Sequence, residues 1–547
     1  MRQVDAERGR RHPQIVAVRR DSVDTPSSRT ARYPDPVLTR RWRSRADGLV
    51  AGAAAGTVAI GINELIAGLL AGAPSFVAEV GAAVIALQPA GAKQFVVDLF
   101  GTADKLVFNL LIVVVAVMGA AVLGLVARTR FSLAALGFAA AGRGALAISI
   151  LLDPLVEPIA GMASTTVTVG AGIAVLRWLT AELPGDVAEM PDWSRRRFIG
   201  TSLGVAGVAV AGVVLGRWVG EQMRVAAPVD VPPVPAPLNP APELAAGTDL
   251  AIPGLAPIVT PNREFYRIDT ALLTPSLDAA SWKLTVTGMV DRALTLTYGD
   301  LLALPLHEQY VTIACVSNEV GGDLVGNALW TGARLREVLD MAGVQPGATQ
   351  VVGRAFDGWT AGFPTEWVMT DEREALIAVA MNGEPLPAEH GFPARLIVPG
   401  LFGYVSATKW LAEIELTTWE AFDGYWVPLG WAKEGPILTQ SRIDVPRGGS
   451  TLSPGEVAVA GVAWAPDRGI THVEVQVDDG AWSPAELSVA ISDATWVQWQ
   501  YAWDASPGSH QIRVRATDGT GTVQESQVTR PPPDGARGYH TIQVSVG

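Results

Sequence analysis

Apolar residues form long uninterrupted runs in the first 225 residues of the chain and short alternating runs after residue 250. A helix needs about 20 apolar residues to cross the hydrocarbon core of a bilayer. The long runs therefore predict four membrane spans and then a fifth, at residues 48–72, 104–127, 131–152, 158–180 and 201–219. The apolar run 76–90 is shorter and is bounded by Gly and Pro, which indicates a re-entrant or interfacial helix.

The second half of the chain changes its pattern twice. Residues 250–443 mix short β-rich runs with helical stretches such as 335–342, which predicts an α+β domain. Residues 444–547 place short strands between turn residues, which is typical of an immunoglobulin-like sandwich. The predicted strands of that sandwich are 457–464, 472–477, 496–501 and 510–515. The predicted fold class is multi-domain: an all-α transmembrane half, an α+β domain and an all-β sandwich.

A proline-rich segment separates the two halves. Residues 226–242 hold seven prolines in seventeen positions, which indicates a semi-rigid polyproline spacer of ~3.1 Å per residue. Fully extended, it would hold the following domain away from the membrane. We therefore divide the N-terminal half into a basic disordered cytoplasmic tail (1–46), a transmembrane helical domain (47–182) and a segment with the twin-arginine-like motif and the fifth span (183–225). A Pro-rich linker (226–249), the α+β domain (250–443) and the sandwich (444–547) follow.

The charges of the chain predict its orientation. Twelve of the first 45 residues are Arg and five are Asp or Glu, so this tail is predicted to be disordered and cytoplasmic. Arg128, Arg130 and Arg177 follow the second and fourth spans, and together with the tail they satisfy the positive-inside rule. The net charge of −13 argues against a nucleic-acid partner.

Three polar side chains stand out within the predicted spans: Asn63, Glu64 and Arg143. Ionisable groups inside a bilayer are costly and often functional, whereas the alternative is a Glu64–Arg143 pair that only fixes helix packing. No His occurs between His12 and His307, so two histidines cannot hold a haem within these helices. We therefore expect no haem in the membrane half.

The segment 194–200 reads Ser-Arg-Arg-Arg-Phe-Ile-Gly and precedes the fifth span. This pattern resembles a twin-arginine signal, which addresses a folded protein to its exporter. Three arginines here are also explained by ordinary positive-inside anchoring. Both interpretations give one topology, a multi-pass protein of the cell membrane with segment 181–197 in the cytoplasm and the C-terminal half outside.

Cys315 is the only cysteine in 547 residues. A run of β-forming residues, 309–314, leads into it and a polar loop with glycines follows, so the thiol lies where a strand ends. A lone Cys makes no intramolecular disulfide, and on its own it is most simply a small buried apolar residue. The segments around it favour a chemical role.

Those segments resemble the molybdenum domain of the sulfite oxidase family. In that family a strand-end Cys is followed three residues later by Asn, as Cys315 is by Asn318. Further similar segments occur in the family's order, at 265–267, 282–288, 329–335, 381–387, 390–395, 398–400 and 409–411. Several motifs in the right order are far more specific than one short motif. The resemblance extends over residues 250–547 and leaves out the first 225.

The resemblance implies a molybdenum–molybdopterin cofactor with the Cys315 thiolate as a metal ligand. A pterin carries a phosphate and ring donors and acceptors, which suit Arg and Lys side chains. The residues that the resemblance assigns to this pocket are Tyr266, Arg267, His390, Arg395 and Lys409. Asn318 and Asp357 are expected to make polar contacts to the ring system or its loop.

The resemblance also implies catalytic residues beside the metal. Tyr425 is expected near the oxo groups of the metal, with core packing as the alternative for this aromatic residue. Trp330 is expected to line the substrate pocket, and Arg267 to supply a cation for the substrate.

This sequence departs from the family directly after Asn318. Sulfite oxidases have two arginines there, the second of which helps to hold the sulfite anion, whereas this sequence has Glu319 and Val320. Replacing a cation by Val next to a carboxylate weakens the case for a dianionic substrate. Oxygen-atom transfer at molybdenum is therefore better supported than sulfite itself.

We predict a membrane-anchored, exported molybdopterin-dependent oxidoreductase that performs two-electron oxygen-atom transfer on a small substrate, in a sulfite-like oxidation. The first alternative is reduction of an S-oxide or N-oxide, such as methionine sulfoxide, at the same site. The second, of another class, is a metal-free membrane binding protein, against which the retained Cys315 argues. A cytochrome, a quinone and a membrane subunit remain open as electron partner. The C-terminal domain often dimerises in relatives, so a homodimer is an expectation.

Overall fold

The computed structural model describes residues 36–70, 72–87, 104–152, 156–181, 183, 192–225, 231–370 and 374–547. The predictions for the tail before residue 36, for the end of the apolar run 76–90 and for linker residues 226–230 fall outside these ranges.

Apolar helices form the described part of the N-terminal half. In chain order they are α1 Pro36–Leu69, α2 Phe76–Ala86, α3 Asp104–Ala127, α4 Phe131–Leu152, α5 Pro158–Ala181 and α6 Asp192–Val225. All except α2 are long and apolar enough to cross a membrane, and they coincide with the predicted spans. At 1.5 Å per residue, the 11 residues of α2 reach about half of the ~30 Å hydrocarbon core, in line with a helix that does not span it.

The N-terminus of α1 corrects one prediction. The helix begins at Pro36, so residues 36–46 are helical and do not belong to a disordered tail. Pro suits the first position of a helix because its missing N–H would have no partner there. Arg, a good helix former, occupies four of residues 40–45, and the first helix therefore extends into the basic segment.

Glycines let α1 pack closely against α3. Gly48, Gly52 and Gly56 recur every four residues along α1, and each faces α3 near Ala120, Gly124 or Arg128. A methyl group added at Gly48 would lie 3.2 Å from the Gly124 carbonyl oxygen. Small residues at this spacing bring membrane helices into backbone contact.

The second face of α1 packs against α6 in the same way. A methyl group at Gly61 would lie 2.5 Å from the Ala209 carbonyl oxygen, and Gly68 lies directly against Gly216. Because α3, α5 and α6 all pack on α1, this helix is the centre of the bundle.

Glu64 pairs with α6 and not with Arg143, which corrects the predicted pair. Arg217 Nε lies 3.0 Å from Glu64 Oε2, and Ser75 donates its hydroxyl to Glu64 Oε1 at 2.6 Å. Arg143 is exposed on α4, which packs on α2, α3 and α5. The sequence could not show this, because both arginines lie in predicted spans.

Asn63 holds the turn before α2. Its amide nitrogen donates to Pro74 O at 3.1 Å, and its amide oxygen accepts from the Phe76 N–H at 2.8 Å. The polar residues 63 and 64 therefore fix α2 to the end of α1.

One mixed sheet and one antiparallel sheet form the α+β domain. Its elements are β1 Lys283–Gly288, β2 Leu294–Thr297, α7 Tyr298–Leu302, β3 Leu306–Ala314, β4 Val325–Arg334, α8 Leu335–Ala342, β5 Gln350–Ala355, β6 Thr360–Pro364, β7 Leu376–Met381, β8 Glu384–Pro385, β9 Arg395–Ile397, α9 Gly403–Ser406 and β10 Leu411–Thr417. One sheet has the order β2-β1-β10-β5-β6, and the other β3-β4-β7-β8 with β9 beside β7. The predicted helix 335–342 is confirmed as α8, which ends at Gly343 with a left-handed φ of 72°.

The described linker lies along this domain. The Leu238 N–H donates to Leu306 O at 2.7 Å, and the Glu308 N–H donates to Asn239 O at 2.9 Å, so the linker pairs with the start of β3. The helical bundle also meets the domain directly, because Leu272 packs against Gly81 of α2. The expectation of a spacer that holds the domain away from the membrane is therefore corrected, because backbone groups of linker residues Leu238 and Asn239 bind the domain.

The C-terminal sandwich consists of two sheets, β11-β13-β17-β16 and β12-β19-β18-β14-β15. Its strands are β11 Gln440–Val445, β12 Thr451–Leu452, β13 Gly455–Trp464, β14 Ile470–Val477, β15 Ser483–Pro484, β16 Glu486–Leu487, β17 Val497–Ala505, β18 Gly508–Asp518 and β19 His540–Val546. The four predicted strands are confirmed as β13, β14, β17 and β18. Trp464 and Trp496 are buried in the core of the α+β domain, so the two domains share packing.

Candidate functional site

Cys315 directly follows β3, as the sequence predicts. β3 and β4 pair without interruption from Leu306 opposite Ala333 to Ala314 opposite Val325, so both ends of the intervening loop are fixed. The Cys315 N–H donates to Leu324 O at 2.9 Å. The residue is 8 % exposed and lines a cavity of about 110 Å³.

Asn318 shapes the loop after the cysteine. Its backbone N–H donates to Cys315 O at 3.0 Å, and its amide oxygen accepts from the Leu324 N–H at 2.9 Å. It does not line the cavity among the described residues. Of the two predicted roles, contact with the loop is the one present in this structure.

Tyr266 forms part of the cavity wall next to Cys315. Its ring stacks on Phe265 with 5.3 Å between centroids, and Phe265 in turn lies edge-on to Trp330 and His390. Burial, and then the neighbouring thiol, raise the pKa of the Tyr266 hydroxyl far above its usual value. The group therefore stays protonated and can donate a hydrogen bond.

Arg395 and Lys409 place two buried cations on the cavity wall. Arg395 Nη1 donates to His390 O at 3.0 Å, and its guanidinium lies 5.1 Å from the ring centroid of Trp330. Lys409 Nζ donates to Asp269 at 2.7 Å and to Glu389 O at 3.1 Å. Burial lowers the pKa of Arg395 to about 10 and that of Lys409 to about 8, so both are charged at neutral pH.

His390 is a neutral member of the site. It ends the short turn Ala388–His390, is buried, and its Nε2 lies 2.8 Å from Asn262 O, to which it donates. Burial, assisted by Arg395, Lys409 and Arg267, lowers its pKa to about 4.

The charges of the cavity fit an anionic cofactor. Asp269 is shared between Lys409 and Arg267, with Arg267 Nε 3.1 Å from Asp269 Oδ2. Among the described residues, Arg395 has no carboxylate partner, and its buried Nε has no hydrogen-bond partner. A buried cation without a counter-ion is costly, and a phosphate would supply one. A pterin phosphate therefore fits the residues present.

Metal binding at this site would rest on Cys315. Within the described residues, no group of three or more His, Cys, Asp or Glu side chains is placed to hold a metal ion. A metal bound to this thiolate would thus take its other ligands from a bound cofactor and not from these side chains.

Six of the predicted site residues line the cavity: Tyr266, Cys315, Asp357, His390, Arg395 and Lys409. Asp357 Oδ1 accepts from the Trp359 N–H at 3.1 Å, and burial raises the pKa of the carboxyl group to about 6.

The other predicted site residues do not line this cavity. Trp330 is fully buried, lies 5.1 Å from the Arg395 guanidinium and donates its indole N–H to Val311 O at 3.2 Å, and its expected role at the substrate pocket stays a prediction. Arg267 points to Asp269 and is 36 % exposed. Tyr425 faces a neighbouring cavity, which also includes Asp357, instead of the cavity of Cys315.

Several cavity residues were missed by the sequence analysis: Asp269, Trp359, Tyr404, Trp426 and Trp431. Tyr404 donates to Ala432 O at 2.7 Å, and burial raises the pKa of its hydroxyl well above the usual range. Asp269 lies two positions after Arg267, and this spacing was the only available signal for it. The tryptophans come from loops without periodicity, which sequence patterns do not place.

Two parts of the chain match known protein families. Residues 271–426 match the family described as oxidoreductase molybdopterin binding domain, and residues 440–514 match the bacterial Ig domain. Mitochondrial sulfite oxidase of Rattus norvegicus is 30% identical over 343 residues, which cover 53% of this chain and 62% of that protein. The uncharacterized oxidoreductase YuiH of Bacillus subtilis is 37% identical over 165 residues, which cover 30% of this chain and 79% of that protein.

Among solved structures, the sulfane dehydrogenase SoxCD of Paracoccus pantotrophus has a TM-score of 0.47 and 23% identity, with 54% of this chain and 82% of that chain covered. The chain spans less than two thirds of the length of the rat sulfite oxidase. Fold, site and similarity define a molybdopterin-binding oxidoreductase domain followed by an Ig-like domain. The chain belongs to the sulfite oxidase family.

Proposed function

We propose that this protein is a membrane-anchored oxidoreductase that holds molybdenum–molybdopterin through Cys315 and transfers an oxygen atom to or from a small substrate. The observation that carries the proposal is the buried thiol on the wall of a cavity whose Arg395 lacks a counter-ion. The five apolar helices support anchoring in a membrane, and the alternation of arginines supports an extracytoplasmic catalytic domain.

In the oxidising direction the reaction is substrate plus water to oxygenated substrate, two protons and two electrons. The bound cofactor supplies the metal centre at which the oxygen atom and the two electrons are exchanged. The Cys315 thiolate would be a soft ligand that holds that centre at the end of β3. Arg395 and Lys409 would bind the phosphate, and the neutral His390 fixes the turn whose carbonyl groups accept hydrogen bonds from these two side chains.

The remaining wall residues control water and protons. Trp426, Trp431 and Tyr404 cover one side of the cavity and limit its access to water. Tyr266 keeps its proton and serves as a hydrogen-bond donor. Asp357, with a pKa of about 6, can accept and release a proton close to neutral pH.

A second candidate, reduction of a neutral S-oxide or N-oxide, is favoured by one specific observation. The aromatic side of the cavity is uncharged, and Lys409 and Arg267 already share Asp269. With Arg395 assigned to the phosphate, none of these three cations is left for a dianionic substrate. Glu319 is exposed and lies outside the cavity lining among the described residues.

The test uses the full chain produced with its cofactor. Sulfite with ferricyanide assays oxidation, and methionine sulfoxide with a reduced viologen assays reduction. We expect about one molybdenum per chain, and Cys315→Ser should lower turnover by more than the ~100-fold that the loss of an outer-shell partner costs. The melting temperature of the cofactor-free protein should stay within about 2 °C, since Ser replaces Cys at nearly the same size. An equally active Ser variant, or purified protein without molybdenum and without turnover, would contradict the proposal.

A further inference from the structure

A second cavity of about 530 Å³ lies between the helical bundle and the α+β domain. Its bundle side is formed by the end of α1, the turn before α2, one face of α2, Val156 and Gly220. Its other side is formed by residues 270–276, residues 357–359 and Tyr425. The cavity therefore exists only because the bundle and the catalytic domain meet.

This junction cavity adjoins the cavity of Cys315. Thr270, Asp357 and Trp359 line both. A single layer of side chains thus separates a molecule in the junction cavity from one in the cavity that Cys315 lines. Such a short separation suits the exchange of electrons between two bound groups.

The junction cavity lies at one end of the membrane spans. The C-terminal end of α1, the segment just before α5 and the C-terminal end of α6 all contribute to it. With a cytoplasmic N-terminus, these three ends are on the extracytoplasmic side, at the level where the hydrocarbon core meets the lipid headgroups.

The lining of the junction cavity is amphipathic. Leu69, Leu70, Ile85 and Leu272 give it an apolar side towards the helices, whereas Glu79, Ser75, Thr270, Asp357 and Tyr425 carry polar groups. Burial, and then Asp357, raise the pKa of the Tyr425 hydroxyl, so it remains a proton donor. The volume lies within the 300–1,000 Å³ range of small-molecule sites.

We propose that the junction cavity binds the headgroup of a membrane quinone, which exchanges electrons with the catalytic cavity. The inference rests on the proposed function and adds its electron partner. In the oxidising direction, substrate and water give oxygenated substrate, two protons and two electrons, and the quinone takes up two electrons and two protons to become the quinol. The sum is substrate, water and quinone to oxygenated substrate and quinol.

The residues of the junction cavity suit both ends of this ligand. The Tyr425 hydroxyl can donate to a quinone carbonyl, and Asp357, which touches both cavities, can pass on the protons released at the catalytic side. The isoprenoid tail would lie along the apolar side towards the bilayer.

The test measures two rates on the cofactor-loaded full chain in lipid nanodiscs. Substrate-dependent reduction of decylubiquinone reports the junction cavity, and reduction of ferricyanide reports the catalytic cavity alone. Ala82→Trp places a large ring into the junction cavity from α2. We expect it to lower the ratio of the quinone rate to the ferricyanide rate at least tenfold. Val84→Trp is the matched control, because Val84 is exposed on α2 and lies outside the lining.

Binding is measured separately, without turnover. An azido-ubiquinone should label peptides within 67–85 or 270–276 by mass spectrometry, excess decylubiquinone should compete, and Ala82→Trp should suppress the label while Val84→Trp retains it. Labelling restricted to exposed faces of α3, or equal in both variants, would overturn the site.

Equal loss of both rates in Ala82→Trp would instead mark a substrate path and also overturn it. Turnover with ferricyanide but not with decylubiquinone would refute the inference and leave the proposed function standing, whereas no turnover with either acceptor would refute both.

Discussion

Two neighbouring carboxylates in the catalytic cavity have opposite electrostatic situations. Asp269 is buried at 3 % side-chain exposure and bonds Lys409 and Arg267, so its charge is compensated. Asp357 is partly buried and accepts a hydrogen bond from a backbone N–H. Burial raises its pKa to about 6; the N–H opposes this shift, and the charge of Asp269 adds to it. The Asp269 carboxylate therefore stabilises the cofactor-free fold, whereas a charged Asp357 carboxylate lowers its stability.

We predict opposite effects of the same substitution at these two positions. At pH 7.5, Asp357→Asn should stabilise the cofactor-free protein by about 2 kcal/mol, after allowance for partial exposure, and raise its melting temperature by about 4 °C. Asp269→Asn should cost about 3 kcal/mol, because it leaves Lys409 buried without a counter-ion. Differential scanning calorimetry of both variants in nanodiscs measures the shifts.

The pH dependence gives this prediction its control. The folded-state pKa of Asp357 lies above the ordinary value near 4, so the folded protein keeps this proton longer than the unfolded chain. Stability is then lost as pH rises from about 4 to about 6, and the gain from Asp357→Asn should vanish at pH 4. A gain that is the same at pH 4 and pH 7.5 would show that charge is not its cause.

At the scale of residues, sequence predicted the cavity where it carried a local motif. Cys315, His390, Arg395 and Lys409 lie in such motifs, and the structure brings them together. The burial of Trp330 outside the cavity lining could not be predicted, because a motif gives the strand but not the face to which a side chain points. Tyr404 lies on the short helix α9, and the missed tryptophans lie on loops. Neither kind of segment carries a periodic signal.

At the scale of elements, α1 determines the helical bundle. Its glycines contact α3 on one face and α6 on the other, and Glu64 adds an ion pair to Arg217. In a membrane, such close packing of small residues replaces the hydrophobic effect as the main source of helix association. The α1–α6 contact also sets the position of the junction cavity.

We predict that Gly216→Leu separates α1 from α6. A side chain at this position would begin 2.6 Å from Leu65 Cα and 2.7 Å from Glu64 O, so the backbones must move apart. The expected loss is about 2 kcal/mol or more, seen as a lower melting temperature in nanodiscs. Gly207→Leu on the same helix is the control, since no described atom lies within 4 Å of the added carbon. Equal effects of both substitutions would mean that helix propensity, not packing, is responsible.

The elements themselves were mostly predictable, because apolar length and β-strand spacing are local properties. All five spans and the four quoted sandwich strands follow from them. Two features depended on contacts that are distant in sequence. The linker binds along β3 through Leu238 and Asn239, and Glu64 selects Arg217, 153 positions away, over Arg143. Neither partner can be chosen from composition.

At the scale of the whole molecule, the arginines before α6 connect the two halves of the chain. Arg195 Nε lies 3.1 Å from Asp47 Oδ1 of α1, whereas Arg196 and Arg197 are exposed. The ion pair with Asp47 offers a structural role for Arg195, one of the two arginines of the signal. A signal for export of a folded, cofactor-loaded domain would need both arginines as such, because an exporter reads their geometry.

We predict that Arg195→Lys combined with Arg196→Lys leaves α1 to α5 inserted but retains residues 226–547 in the cytoplasm. Lys keeps the positive charge and can keep a pairing with Asp47, so positive-inside anchoring and the ion pair both predict no effect. Only recognition of the planar guanidinium groups predicts a loss. Digestion of the C-terminal domain by protease added to intact spheroplasts measures the outcome.

Asp47→Asn separates the two roles of Arg195. It removes the ion pair to α1 but keeps both arginines, so export should be normal if the arginines act as a signal, and any change should appear only in the stability of the bundle. If the double Lys variant is digested from outside as readily as the parent, the domain does not depend on a twin-arginine signal. If Asp47→Asn blocks export as strongly as the double Lys variant, the arginines act through their packing on α1. Export of a folded domain requires the remaining outcome, in which only the Lys substitutions retain the domain inside.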